Sequence, residues 1–125
     1  MDRVKIFKLW MPVLLWAGLI FICSGIPNLK TNLPEDFILR KAAHVTEYFL
    51  LAFLLRRAFC GTFAMNARSL FLYPATVALL YAISDEIHQS FTPGRTCSMG
   101  DVVIDAAGII LFYVLLRIFK RQPNA

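Results

Sequence analysis

One stretch of this chain carries no charged side chain: "LWMPVLLWAGLIFICSGI", from Leu9 to Ile26. A helix needs roughly 20 apolar residues to cross the hydrocarbon core of a bilayer, and this run is close to that length. The basic segment in front of it resembles the start of a signal peptide, but no small-residue cleavage site follows. We therefore interpret the run as an uncleaved membrane span.

Three more apolar segments follow, at about residues 40–58, 69–90 and 101–119. Two of them reach spanning length only if they include carboxylates, Glu47 in one and Asp101 with Asp105 in the other. Ionisable groups within a span are costly and normally face the interior of a helix bundle. Hydrophobic residues make up 58% of the chain. The sequence therefore predicts one all-α domain over residues 1–125, an integral membrane four-helix bundle with short transmembrane helices.

The distribution of lysine and arginine predicts the orientation of these helices. With the N-terminus inside, nine basic residues lie in the inner segments: Arg3, Lys5, Lys8, Arg56, Arg57, Arg68, Arg117, Lys120 and Arg121. Four lie in the outer segments: Lys30, Arg40, Lys41 and Arg95. This excess favours an N-in, C-in topology. Basic flanks of apolar helices also account for the net charge of +5, so we expect no nucleic-acid partner.

This topology brings five of the eight acidic residues to the outer ends of three helices. Helical spacing arranges them and their neighbours in pairs that share a face. These pairs are His44 with Glu47, Asp85 with His88, Glu86 with Gln89, and Asp101 with Asp105. Gly108 follows on nearly the same face as Asp105, where a glycine lets a neighbouring helix come close.

Local signals delimit the last two helices. Pro93-Gly94 in "TPGR" predicts a turn after the third helix. Ser98, with Asp101 three residues on, resembles a capping box at the start of the fourth helix, with Asp in place of Glu. The two signals predict a short outer connection between helix ends that carry acidic residues.

Three interpretations of the outer polar cluster are open. In the first it is structural, because polar side chains hold helices together in lipid and Arg95 neutralises carboxylates. In the second it is catalytic, with a glutamate and a histidine adapted for general acid–base work. The catalytic candidates are Glu86, Glu47, His44 and His88. In the third it binds a polar head group, with Arg95 contacting phosphate or carboxylate.

The sequence leaves any metal and any disulfide undecided. His, Glu and Asp in a partly closed site suit zinc, manganese or a similar divalent ion. No HExxH or CxxC spacing is present, however, so the metal is unknown. Cys23 and Cys97 both fall on the predicted outer side, and either a bridge or two independent thiols is compatible with the sequence.

The segments just described resemble the VanZ-like family of small membrane proteins. The similar pieces are "RKAAHVTEYFLLAFLL", "YAISDEIHQSFTPGR" and "DVVIDAAGIILF". The resemblance assigns motif roles to His44, Glu47, Tyr48, Asp85, Glu86, Gln89, Arg95, Asp101, Asp105 and Gly108. It implies a multi-pass protein of the bacterial cytoplasmic membrane. The family's namesake is associated with low-level resistance to the lipoglycopeptide teicoplanin.

From the cluster and the resemblance together we expect recognition, with or without chemical modification, of an envelope lipid or a lipid-linked cell-wall precursor. The substrate-binding candidates are Arg95, Tyr48, Asp85, Gln89, Asp101 and Asp105. Whether the chain is an enzyme is left open. One alternative is a non-enzymatic, lipid-binding or accessory membrane protein whose polar cluster is mainly structural. A second is an oligomeric, proton-coupled transporter, because four short helices enclose a pathway only as a homo-oligomer.

Overall fold

The computed structural model describes residues 2–26, 35–94 and 98–121, which form four α-helices. Their bounds are Arg3–Ser24 (α1), Glu35–Thr62 (α2), Ala67–Ser90 (α3) and Met99–Arg121 (α4). Helices account for 89% of the described residues, and no strand occurs among them. The predicted all-α fold is confirmed, and each helix is longer than the apolar segment that predicted it.

Polar side chains cap three of the helices and allow them to extend beyond their apolar segments. Asp2 accepts the Val4 N–H at 3.0 Å before α1. Asn66 accepts the Ser69 N–H at 2.8 Å before α3. Such caps satisfy backbone donors that have no partner within the helix.

Of the two hydrogen bonds in the capping box predicted at the start of α4, the structure confirms one and contradicts the other. The Ser98 hydroxyl accepts the Gly100 N–H at 3.1 Å, as an N-cap does. The Ser98 N–H donates at 3.3 Å to Glu86 in α3, and not to the Asp101 side chain. The second half of a capping box is a carboxylate that accepts the N-cap N–H. Here a neighbouring helix supplies that carboxylate, which ties the start of α4 to the end of α3.

The helices run alternately up and down. The Trp10 indole N–H near the start of α1 donates to the Thr62 hydroxyl at the end of α2, at 2.9 Å. Only residues 63–66 separate that end from the start of α3. Phe71 near the start of α3 packs edge-on against Tyr113 in the second half of α4, with ring centroids 4.7 Å apart. The start of α1 and the end of α4 therefore lie at the same end of the bundle, as an N-in, C-in arrangement requires.

α2 is the central helix of the bundle. It packs against all three of the others, and α3 also packs against both α1 and α4, whereas no packing joins α1 to α4 in the described part of the chain. α2 supplies much of the buried apolar core: Tyr48, Leu51, Ala52, Leu55 and Ala58. Because neighbours surround α2 on several sides, it is the helix best protected from lipid.

Three of the described helices, α1, α3 and α4, are long and apolar enough to cross a membrane. Their outward faces carry large exposed hydrophobic side chains such as Leu14 (69% exposed) and Ile110 (61%), as lipid-facing helices do. α2 is not one of them, because charged residues occupy both of its ends and Glu47 lies between them. Its role as a fourth span stays a prediction, which its central packing supports.

The predicted close approach at Gly108 is confirmed. A Cβ atom added to Gly108 would lie 2.4 Å from the Val45 carbonyl oxygen of α2, closer than real Cβ atoms come to the backbone of another helix. The missing side chain therefore lets α4 lie directly on the backbone of α2. This contact is one turn away from Asp105 and sets how closely the polar ends of the two helices meet.

Candidate functional site

The buried polar side chains of the described residues gather at one end of the bundle. They belong to Ser24, Asp85, Glu86, Gln89, Thr92 and Asp105. α1 and α3 end there, and α2 and α4 begin there. We call the carboxylates Asp85, Glu86 and Asp105, together with their partners His44, Tyr48 and Gln89, the acidic layer. It contains most of the site residues that the sequence predicted, drawn from α2, α3 and α4.

Asp85 joins three helices. Its Oδ2 accepts hydrogen bonds from the Tyr48 hydroxyl of α2 and from the Gln89 side-chain amide, each at 3.3 Å. The same Gln89 amide nitrogen donates to the Ser24 hydroxyl of α1 at 3.2 Å. Tyr48 is fully buried and Asp85 is 3% exposed. Gln89 therefore pairs with Asp85, one turn away, and not with Glu86, the partner that the face pairing predicted.

Asp105 and His44 link α4 to α2. Asp105 Oδ1 lies 2.8 Å from His44 Nδ1, and Asp105 is fully buried. A carboxylate on one ring nitrogen fixes the orientation of the imidazole and leaves the other nitrogen to exchange protons. The pair therefore has the atoms of a general acid–base couple. The sequence placed His44 beside Glu47 or Glu86, whereas its hydrogen-bonded carboxylate comes from α4.

Glu86 is 1% exposed and carries two different oxygens. Oε2 accepts the Ser98 N–H, as described above. Oε1 is buried and has no hydrogen-bond partner among the described residues. The same is true of Asp85 Oδ1 and Asp105 Oδ2. Among the described residues, each of the three carboxylates thus uses one oxygen for helix packing and has a second, buried oxygen without a donor.

The other predicted residues lie around this layer. Asp101 forms an ion pair with Lys41 at the rim, where both side chains are partly exposed. His88 stacks on Phe21 of α1, with ring centroids 4.1 Å apart and planes 18° apart. In the described part of the chain His88 makes no hydrogen bond to the three carboxylates. The predicted pair of Asp85 and His88 on one face of α3 is therefore not joined by a hydrogen bond between the two side chains.

Glu47 lies within electrostatic range of His44, the residue with which it was paired in the sequence. Its backbone carbonyl accepts the Trp16 indole N–H of α1 at 2.9 Å. Arg95 and Cys97 lie outside the described residues, so the predicted anion clamp and the Cys23–Cys97 alternative stay predictions. The predicted turn ahead of Arg95 includes Gly94, whose φ of 80° favours glycine.

Sequence reasoning missed the residues through which α1 contributes to the site. Ser24 bonds Gln89, and its backbone carbonyl accepts from the Thr92 hydroxyl at 3.4 Å. Trp16 and Tyr81 form further contacts between α1 and its neighbours. One signal was available for Ser24, because it is a hydroxyl at the end of a long apolar run, where a polar side chain needs a partner. The described residues include no group of three His, Cys, Asp or Glu side chains placed to hold a metal ion.

Comparison with known proteins supports the resemblance on which the site prediction drew. The family model described as VanZ/LLP1 matches residues 5–120, and the chain belongs to this family. It is 32% identical over 102 residues to the uncharacterized membrane protein YwnJ of Bacillus subtilis (strain 168). That match covers 76% of this chain and 60% of the relative, so the chain spans about three fifths of the relative's length. No solved structure matches.

Proposed function

We propose that the acidic layer binds the polar head group of an envelope lipid or a lipid-linked cell-wall precursor, from the outer side of the bacterial cytoplasmic membrane. The observation that carries the proposal is the set of three open acceptors: Asp85 Oδ1, Glu86 Oε1 and Asp105 Oδ2. Leaving a buried acceptor without a donor costs about 1–3 kcal/mol, and more when the group is charged. A head group with several hydroxyl or ammonium donors offsets that cost on binding.

Three features make a lipid-linked ligand fit this position. The acidic layer lies at the end of helices whose flanks carry large exposed hydrophobic residues, where an acyl or prenyl chain can remain in the membrane. Side chains from all four helices form or contact the layer, so it is shaped by the whole bundle. Arg95, which directly follows Pro93-Gly94 in the sequence, is our predicted clamp for the anionic group of the ligand.

The phenotype linked to the family's namesake follows from such binding. A protein that sequesters or alters an envelope lipid or precursor changes the surface to which a lipoglycopeptide binds, so susceptibility to teicoplanin is the expected cellular readout. The His44–Asp105 couple supplies a proton donor and acceptor beside the bound group, and modification of that group would use it. In the non-enzymatic alternative the same carboxylates only hold the ligand or the helices.

The test is mass spectrometry of the lipids that copurify with the protein in mild detergent. We expect a stoichiometric lipid or precursor with the wild type, and at least a tenfold lower amount with Asp85→Asn. The matched control is Asp2→Asn, which removes a carboxylate at the other end of the bundle and keeps the cap of α1. A chemically altered lipid identifies an enzyme, and an unaltered one identifies a binder. An equal amount of that same lipid in the Asp85→Asn and Asp2→Asn variants contradicts the proposal.

A further inference from the structure

A mostly apolar groove lies toward the end of the bundle opposite the acidic layer. The groove of about 1080 Å³ runs between α3 and α4 and reaches Arg56 of α2. Its walls are mostly apolar and include Leu79 and Ile110. Its volume is slightly above the usual range of small-molecule sites, which is about 300–1,000 Å³. Because α3 and α4 are both long and apolar enough to cross a membrane, we expect the groove between them to face lipid.

One end of the groove is cationic. Arg56, Arg117 and Lys120 line it, and none of the three has an ion-pair partner among the described residues. Asp2 is the only acidic residue in the segments at this end of the bundle, and it lies at the start of α1, which does not pack against α4 in the described part of the chain. These three cations therefore need a negative charge from another molecule.

A buried polar atom points to the same groove. The Tyr113 hydroxyl is buried and has no hydrogen-bond partner among the described residues, and Tyr113 lines the groove. An unsatisfied hydroxyl in an apolar setting is costly. Rotation of the Tyr113 side chain toward the groove would bring this buried hydroxyl to the ester carbonyl of a bound lipid, which is an acceptor.

We propose that this groove is a binding site for one anionic phospholipid of the leaflet at the basic end of the bundle, which the charge distribution predicts to be the cytoplasmic leaflet. An acyl chain lies along the wall formed by Leu79 and Ile110, and the phosphate meets Arg56, Arg117 and Lys120. Charge complementarity selects this occupant over a neutral lipid, because the cations are at one end only and the rest of the groove is apolar. The site is separate from the acidic layer and does not depend on the function proposed for that layer.

The experiment is native mass spectrometry of the purified protein with equal amounts of phosphatidylglycerol and phosphatidylcholine. We expect one retained phosphatidylglycerol per chain, at least tenfold in excess over phosphatidylcholine. The double variant Arg117→Gln/Lys120→Gln should lower this preference at least fivefold. The matched control is Arg57→Gln/Arg68→Gln, which removes two exposed charges at the same end that do not line the groove.

Three outcomes overturn the proposal. The first is an equal loss of preference in the control variant, which means that basic flanks attract anionic lipid without a site. The second is no preference for phosphatidylglycerol in the wild type. The third is a dimer that retains no lipid and dissociates in the Arg117→Gln/Lys120→Gln variant, because a second copy then occupies the groove. Thermal unfolding in lipid-free detergent shows that each variant is folded before it is scored.

Discussion

The two ends of this bundle place charge in opposite ways. At one end the carboxylates Asp85, Glu86 and Asp105 are buried among side chains from all four helices. At the other end the basic side chains Arg57, Arg68 and Arg117 are exposed. Exposed cations next to apolar helices are sufficient to orient a membrane protein and need no fixed partners. Buried carboxylates need partners supplied in three dimensions. This difference is the basis of our proposal that the acidic end holds a ligand head group inside the bundle, whereas the basic end contacts lipid at its surface.

We expect the largest loss of stability from a side chain added at Gly108, where α4 lies directly on the backbone of α2. Gly108→Ala puts a Cβ 2.4 Å from the Val45 carbonyl oxygen, so α2 and α4 must move apart. Overpacking of this kind costs about 1–3 kcal/mol, and we expect the upper part of that range because the clash is with backbone. The measurement is thermal unfolding in detergent. Gly18→Ala is the control, because nothing lies within 4 Å of its added Cβ. Equal melting temperatures for the two variants would contradict the close approach.

The second prediction compares removal of one charge from each end. Glu86→Gln keeps an acceptor for the Ser98 N–H and removes a buried charge, so the protein should melt close to the wild-type temperature. It should nevertheless lose about tenfold or more of the copurifying lipid and of any effect on teicoplanin susceptibility. Arg57→Gln, at the basic end, should change neither. We expect a weaker loss for His88→Gln, because His88 packs on Phe21 at the side of the acidic layer.

Either of two results would contradict the difference that we propose between the two ends of the bundle. Full activity of Glu86→Gln would remove Glu86 from the site. Unfolding of the same variant would make its carboxylate structural.

The difference between the ends also explains how far the sequence could predict the site. Long apolar runs and the position of lysine and arginine predicted the helices and their orientation through composition alone, and those signals are local. The gathering of Asp85, Glu86 and Asp105 at one end followed from an up-and-down topology. Their individual partners did not follow, because they depend on how the helices are rotated against one another.

Particular contacts show this limit. Helical spacing paired Glu86 with Gln89, but Gln89 turns toward Asp85 and reaches Ser24 on α1. Glu86 instead accepts the N–H of Ser98 from the next helix. Pairing within one helix can be read from i,i+3 and i,i+4 spacing, whereas pairing between helices is decided by packing.

The third prediction compares two tyrosine hydroxyls, one at each end. Tyr48→Phe removes a donor to the buried carboxylate of Asp85 and should destabilise the protein by about 1–2 kcal/mol. Tyr113→Phe removes a buried hydroxyl with no partner among the described residues, so in lipid-free detergent its melting temperature should stay the same or rise. Thermal unfolding of both variants side by side is the measurement. A larger fall in melting temperature for Tyr113→Phe than for Tyr48→Phe would contradict the assignment of the hydrogen-bonded hydroxyl to Tyr48 and of the unsatisfied one to Tyr113.

The smallest effect is expected within the acidic end itself, at its rim. Lys41 and Asp101 form an ion pair whose side chains are 32% and 21% exposed, and partly exposed pairs contribute about 0–1 kcal/mol. Lys41→Gln should therefore lower the melting temperature only slightly, and the difference from wild type should shrink as salt is raised, because salt screens exposed charges. Unfolding of the two proteins at low and high sodium chloride measures this. If Lys41→Gln lowers the melting temperature as much as Tyr48→Phe at both salt concentrations, side-chain exposure does not distinguish the residues at the rim from those of the acidic layer. The boundary of the site would then have to extend outward to include Asp101, as the sequence first predicted.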